Sequence, residues 1–206
     1  MIIDDAPQGT DAWLQARAAV TTASNFTKVM SKGRGKAPSL TREGYMIEKA
    51  TEILTGKAIV GGFKSDAMQH GNDTEDEARK FYQMISGNTV EEVGLIYLNE
   101  QKHIGASVDG LVGDKGLVEI KCPTLPVHVR YLMAGVMPAE YVKQVQGQMW
   151  VTGRQWCDFI SYNPDSHKMG FLFRVERDDE FIKTISTAVC SFIDDLEVLV
   201  ETLRKL

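Results

Sequence analysis

The chain has little cysteine, no long apolar run and no surplus of positive charge, and each shortage narrows what it can be. Cys122, Cys157 and Cys190 form an odd, widely spaced set. They make neither a disulfide framework nor a zinc pattern, and they read as reduced thiols of a cytoplasmic protein. No apolar stretch approaches the ~20 residues that span a membrane, so no membrane association is expected. Met1-Ile2-Ile3-Asp4-Asp5 lacks the basic-then-apolar order of a secretion signal. His70, His103, His128 and His167 show no metal-ligand spacing and read as structural or surface residues. Internal repeats and low-complexity tracts are missing as well.

Lys plus Arg number 23 against 28 Asp plus Glu, a formal net charge of −5. That balance does not advertise a nucleic-acid binder. It is a weak veto, because local patches set the field a ligand meets. One patch is visible: Lys28, Lys32, Arg34, Lys36 and Arg42 occur with no acidic residue between them. It is either an ordinary solvated loop or a contact for a polyanion.

What is present suits one domain over residues 1–206, since 43% hydrophobic content allows a real core. Thr10 or Asp11 caps a short helix through Trp13 and Arg17, and a second runs from about Ala23 to Met30. Ser31 to Ser39 reads as a Gly- and Lys-rich loop. Helices follow over Thr41 to Leu54, closed at Gly56, and over Asp66 to Ser86. The pattern then changes. Thr89 to Leu98, Ile104 to Val108, Leu111-Val112 and Leu117 to Cys122 read as strands, the last ended by Pro123. Helices are expected over Leu125 to Ala134 and Ala139 to Thr152, and strands over Trp156 to Tyr162 and Gly170 to Val175. Asp178 to Leu206 reads as a long amphipathic helix with room for one break. This order predicts a mixed α/β domain, a central mixed sheet flanked by helices.

The chemistry concentrates in Val108-Asp109-Gly110 and Glu119-Ile120-Lys121. Alternate side chains of a strand share a face, so Glu119 and Lys121 point one way and Ile120 the other. Asp109 opens a Gly-rich hairpin that can fold it back beside Glu119. Two converging carboxylates make a hard-oxygen site of the kind magnesium prefers, with the Ile120 carbonyl as a further candidate ligand. Such a site neutralises a phosphate and lowers the pKa of a bound water. Lys121 can hold or help deprotonate that water and stabilise transition-state charge. Asp-Gly is also a common turn and Glu-x-Lys a common surface pair. The apolar neighbours Leu117, Val118, Ile120 and Cys122 argue that this face is not simply solvent-exposed.

The Asp109…Glu119-Ile120-Lys121 pattern resembles the PD-(D/E)xK motif of restriction-endonuclease-like nucleases. More narrowly, an ordered set of segments resembles the phage lambda exonuclease family and its viral-recombinase relatives. These are Asp11-Ala12-Trp13, Arg17, Val20 to Ser24, Gly71…Glu75 to Arg79, Ser107 to Leu111, Glu119 to Pro123, and Gln144-Val145-Gln146…Met149 to Thr152. The resemblance implies a restriction-endonuclease-like fold. It also implies a DNA exonuclease that loads on a duplex end and processively digests the 5′-ended strand to mononucleotides, leaving a 3′ tail. By the same resemblance it is a homotrimeric ring in a bacterial or phage-infected cell, working beside a single-strand annealing protein in recombination.

The resemblance further implies residue roles. Asp109 and Glu119 match metal ligands, Lys121 the catalytic lysine, and Glu75 a helix carboxylate near a second magnesium ion; manganese can substitute. Gln144 matches a glutamine that positions the attacking water or the lysine. Gln146 and Gln148 compete for that role, and i,i+4 spacing puts Gln144 and Gln148 on one helix face. Arg17, Ser24 and Ser107 match a pocket for the terminal 5′-phosphate, where an Arg fork and hydroxyl donors suit the ligand. Met68 falls at an apolar wedge position that parts the end base pair. The bland alternatives are a solvated acid for Glu75, exposed amides for the glutamines, a lone surface Arg with a capping serine, and core packing for Met68. Val108 replaces the motif's proline, and Asn99 stands where the family has an acid. Two other functions stay open: a junction resolvase or site-specific endonuclease with the same metal centre, and a non-catalytic DNA-binding module.

Overall fold

A computed structural model of the chain describes residues 1–35, 37–59 and 66–206, with the backbone alone over residues 66–73. Its described residues form nine strands and seven α-helices. In chain order they are β1 (Ile2–Asp4), α1 (Asp11–Ala16), β2 (Thr21–Thr22), α2 (Phe26–Val29), α3 (Leu40–Thr55), α4 (Asp66–Ser86), β3 (Val90–Glu91) and β4 (Leu95–Tyr97). There follow β5 (Ile104–Ser107), β6 (Gly110–Val112), β7 (Gly116–Lys121), α5 (Leu125–Ala134), α6 (Val142–Thr152), β8 (Trp156–Tyr162), β9 (Gly170–Glu176) and α7 (Asp179–Leu203). Short 3-10 turns precede α2, at Ala23–Asn25, and α6, at Ala139–Tyr141.

The expected central sheet is two hydrogen-bonded sheets. One has the order β1-β4-β5-β2, the other β3-β6-β7-β8-β9. Both are mixed: β2 runs parallel to β5, β7 runs parallel to β8, and the remaining pairs are antiparallel. The chain passes from the first sheet to the second through Val108-Asp109, between β5 and β6. The segment Thr89 to Leu98 makes the same crossing in reverse. It is two strands, because β3 pairs with β6 while β4 pairs with β1 and β5. Strands β1 and β2, of three and two residues, are too short for a period to reveal.

Helices cover these sheets with the faces that their periodicity provides. In α7 the buried residues are Ile182, Ile185, Val189, Phe192, Leu196 and Val200, spaced three or four apart on one stripe. The helix runs unbroken from the Asp178 cap, whose carboxylate accepts the Phe181 amide at 2.9 Å. Its stripe joins Phe26, Val145, Met149 and Phe159 in the main core. A second core lies across the other sheet, where Ala78 and Tyr82 of α4 meet Val118, Ile120 and Ile160. There Tyr82 donates to buried Asp158 at 2.8 Å, and Arg174 grips the same carboxylate through Nε at 2.8 Å and Nη2 at 2.9 Å. This network fastens α4 to β8 and β9.

Gly147 marks a close approach between α6 and the turn before α2. A Cβ there would stand 2.5 Å from the Phe26 ring and 3.4 Å from the Ala23 Cβ. The glycine lets α6 lie directly on the turn that carries Ser24. Helix propensity alone predicts that Gly147→Ala gains about 1 kcal/mol. Overpacking against Phe26 should reverse the sign and cost about 1–3 kcal/mol. Urea unfolding measures the difference, and a more stable alanine variant would contradict this packing.

Candidate active site

Strand β7 delivers the site. Gly110 pairs with Val118 in the β6–β7 hairpin, so Asp109 arrives beside Glu119. A Cβ on Gly110 would meet Val90 at 2.1 Å, which leaves only glycine at this turn into the second sheet. Asp109 Oδ2 accepts the Ile120 amide at 2.6 Å. That bond locks the carboxylate to the strand across the hairpin. Val118 and Ile120 face α4, while Glu119 and Lys121 share the opposite face, as the two-residue period requires. The Lys121 ammonium donates to Glu119 Oε1. Gln144 Nε2 donates to the same oxygen at 2.5 Å, and Gln148 Nε2 donates to Oε2 at 2.6 Å. Glu119 is fully buried.

A second cluster adjoins it. Arg17, at the C-cap of α1, donates to the Ser107 hydroxyl at 2.7 Å and reaches Thr22 Oγ at 3.5 Å. Thr22 Oγ lies 3.2 Å from Ser24 Oγ. Arg17, Ser24 and Ser107, 90 residues apart at the extremes, are thus one constellation. The Arg17 guanidinium stacks on Trp13, 4.4 Å from the ring centroid. The hydrogen-bond partners of the guanidinium among the described residues are hydroxyls, and it borders a cleft of about 250 Å³ with Trp13 and Asn25, which Glu48, Lys49 and Glu52 also line. Burial pulls its pKa below the ordinary arginine value. It remains a cation, and half-buried without a bonded carboxylate it is poised to take an anion.

A family model described as the YqaJ-like viral recombinase domain matches residues 12–155. The chain belongs to that family. The fold superposes on the crystal structure of an alkaline exonuclease (LHK-Exo) from Laribacter hongkongensis with a TM-score of 0.87. The two are 41% identical, over 95% of this chain and 97% of that one. The same values hold for LHK-Exo in complex with dAMP. A phage related exonuclease from Haemophilus somnus 129PT gives a TM-score of 0.66 at 18% identity, over 89% of this chain and 96% of that one, a likeness of fold. An uncharacterized protein of Acanthamoeba polyphaga mimivirus, R354, is 27% identical over 173 residues. That match takes in 78% of this chain, which spans 30% of the length of that curated relative. The lambda exonuclease resemblance and the restriction-endonuclease-like fold expected from the motif are both met.

Within this viral recombinase domain the electrostatics are those of carboxylates crowded out of water. Burial first, and then the neighbouring Glu119, push Asp109 up to about 8. Burial works against the Lys121 charge, but Glu119 and Asp109 outweigh it and hold the ammonium above the ordinary lysine range. In this arrangement the carboxylates beside it favour the charged form of Lys121. Glu75 is half-buried and its pKa is raised, chiefly by burial. Arg79, 3.0 Å away, and Lys121 oppose the rise, while Glu119 adds to it. Burial also pushes the Cys122 thiol up to about 12, so it is no nucleophile at neutral pH.

The donor set fits a hard divalent cation. Two carboxylates converge, Glu119 fully buried and Asp109 partly so, the Lys121 ammonium is bonded to Glu119, and the Oε1 of Gln148 is buried with no hydrogen-bond partner. Among the described residues no three His, Cys, Asp or Glu side chains gather as a metal cage. Asp109 and Glu119 would therefore need a backbone carbonyl and water to complete a shell, which is how magnesium is usually held.

The remaining sequence candidates divide. Gln146 donates to the Glu176 carbonyl at 2.8 Å and accepts the Asp178 amide at 2.9 Å, a structural clamp away from Glu119. Gln148 enters the site, although spacing alone allowed an exposed amide. Asn99 is exposed and accepts the Gln101 amide within its turn. Arg42 of the basic stretch is paired with Asp195 at 2.7 Å, and Lys28 lies over the Tyr45 ring. Lys32 and Arg34 are exposed. Lys36 and the side chain of Met68 lie outside the described residues.

The raised Asp109 value has a measurable consequence. Its folded-state pKa lies above its unfolded one, so the folded chain holds an extra proton in between. Its contribution to stability therefore falls as pH rises from the ordinary carboxylate range toward about 8. In the presence of a chelator, Asp109→Asn should raise the thermal midpoint more at about pH 9 than at about pH 5. An equal effect at both would show that burial does not control this carboxyl.

Proposed function

We propose that this chain is a magnesium-dependent exonuclease that digests the 5′-ended strand of double-stranded DNA from its ends. The observation that carries the reading is the 2.7 Å bond from Arg17 to Ser107, two residues before Asp109. Ser107, which holds the guanidinium, and Asp109, which converges on Glu119, lie two residues apart on one segment of chain. A phosphate gripped at Arg17, Ser24 and Ser107 identifies a strand terminus, and the adjoining carboxylates face the bonds that follow it. Further support comes from the 41% identity to an alkaline exonuclease and from that relative's complex with dAMP, a nucleoside monophosphate.

The chemistry follows from the residues. Asp109, Glu119 and the Ile120 carbonyl would hold the cation, with Glu75 beside a second one and manganese able to substitute. When bound, magnesium supplies neutralisation of the phosphate and a more acidic water. Lys121, held cationic, stabilises the charge that builds on the attacked phosphate. Gln144, bonded to Glu119 and half-buried at the mouth, orients the attacking water or the lysine. The products are 5′-phosphomononucleotides and a duplex with a 3′ single-stranded tail. A homotrimeric ring around DNA, with processive digestion and a strand-annealing partner in recombination, completes the proposal for a protein of the cytoplasm.

Lys121→Ala should abolish hydrolysis, by at least ~100-fold as for loss of one transition-state donor, while duplex binding persists in a gel-shift assay. In the same digestion assay, wild-type protein should prefer 5′-phosphorylated over 5′-hydroxyl ends. Arg17→Ala should narrow that preference. A preference that survives Arg17→Ala, or an active Lys121→Ala, contradicts the proposal.

A further inference from the structure

Helix α6 presents two glutamines one turn apart to a single carboxylate. Gln144 is half-buried and holds Glu119 Oε1, sharing that oxygen with Lys121. Gln148 is 1% exposed and holds Glu119 Oε2 at 2.6 Å. The same Gln148 Nε2 also reaches the Ser107 carbonyl at 3.3 Å. Ser107 in turn carries the hydroxyl that Arg17 grips. The other end of the Gln148 amide, Oε1, is buried and unpartnered. Burying an amide oxygen without a partner is costly, and core packing alone would favour an apolar side chain here. The contacts made by the nitrogen explain why a glutamine is kept.

We propose that Gln148 is a positioning residue that fixes the Glu119 carboxylate for metal binding at a set distance from the end-phosphate pocket; this rests on the function proposed above. The two oxygens of Glu119 are then unequal. Oε2 is tied inside the protein by Gln148 and, through it, to β5. Oε1 is held by Lys121 and Gln144, both accessible enough to move, and is the oxygen free to exchange partners for a cation. Partners that orient a ligating carboxylate typically control metal affinity by about 10–100-fold. Gln148 touches neither pocket's ligand, so its loss should act through Glu119 and leave the grip on DNA alone.

The test is Gln148→Met, which keeps the volume and removes the donor, with Gln148→Asn as a second variant too short to reach Glu119. Mn²⁺ is the probe, titrated into the full chain and followed by electron paramagnetic resonance. Digestion of a 5′-phosphorylated duplex is measured in parallel. Both variants should bind Mn²⁺ about 10–100-fold more weakly and lose a similar factor in kcat, while KM for duplex ends stays within about twofold. Unchanged Mn²⁺ affinity in a folded variant overturns the proposal, as does a rise in KM alone. Failure of both variants to fold also overturns it, by making Gln148 a packing residue. A wild-type chain that binds Mn²⁺ but digests no DNA ends would sink the proposed nuclease function instead, and the affinity comparison would still stand or fall on its own.

Discussion

The structure depends on one carboxylate taken out of water. Glu119 sits on the middle strand of the second sheet, where an ion without compensation is several kcal/mol too costly to keep. Lys121 and the two glutamines of α6 supply that compensation. Each comes with its own positional demand. Lys121 must be two residues along the same strand. Gln144 and Gln148 must lie one helical turn apart on the face of α6 that reaches Glu119. The missing side chain at Gly147 lets α6 lie close on Phe26 and Ala23.

The break between the two sheets serves the same centre. A continuous strand would have kept Ser107 and Asp109 in regular pairing. Instead the chain leaves β5 at Ser107 and enters β6 at Gly110, with buried Val108 pinning the crossing. Asp109 is freed to accept the Ile120 amide, and Ser107 to meet Arg17 and Gln148. The proposed anion pocket and the proposed metal site are thus neighbours because of a change of sheet. Helix α4 closes the other side, anchored through Tyr82 and Asp158, and brings Glu75 within electrostatic range of Lys121.

The cluster of Asp109, Glu119 and Lys121 was legible in the chain because it obeys local rules. A Gly-rich hairpin folds Asp109 back, and a two-residue period puts Glu119 beside Lys121. Helix periodicity found α3, α4, α5 and α7 to within a residue or two at their starts. Other features are set by contacts that no local window contains. Arg17 and Ser107 meet across 90 residues, so only family likeness pointed to their pairing. The split of the expected strand Thr89 to Leu98 comes from its two halves pairing in different sheets. Among the glutamines, spacing showed that Gln144 and Gln148 share a face but not which face is buried. The turn after β9 decided it, by engaging Gln146 with Glu176 and Asp178.

The central claim is that a metal-dependent centre acts on DNA from an end chosen by its phosphate. It is tested most directly by a digestion time course on a 5′-end-labelled linear duplex beside a covalently closed circle of the same sequence, in magnesium and then in chelator. The account predicts loss of the label from the linear duplex, intact circles, and arrest of digestion on chelation. Cleavage of closed circles at a rate similar to the linear duplex, or digestion that continues in chelator, would contradict it.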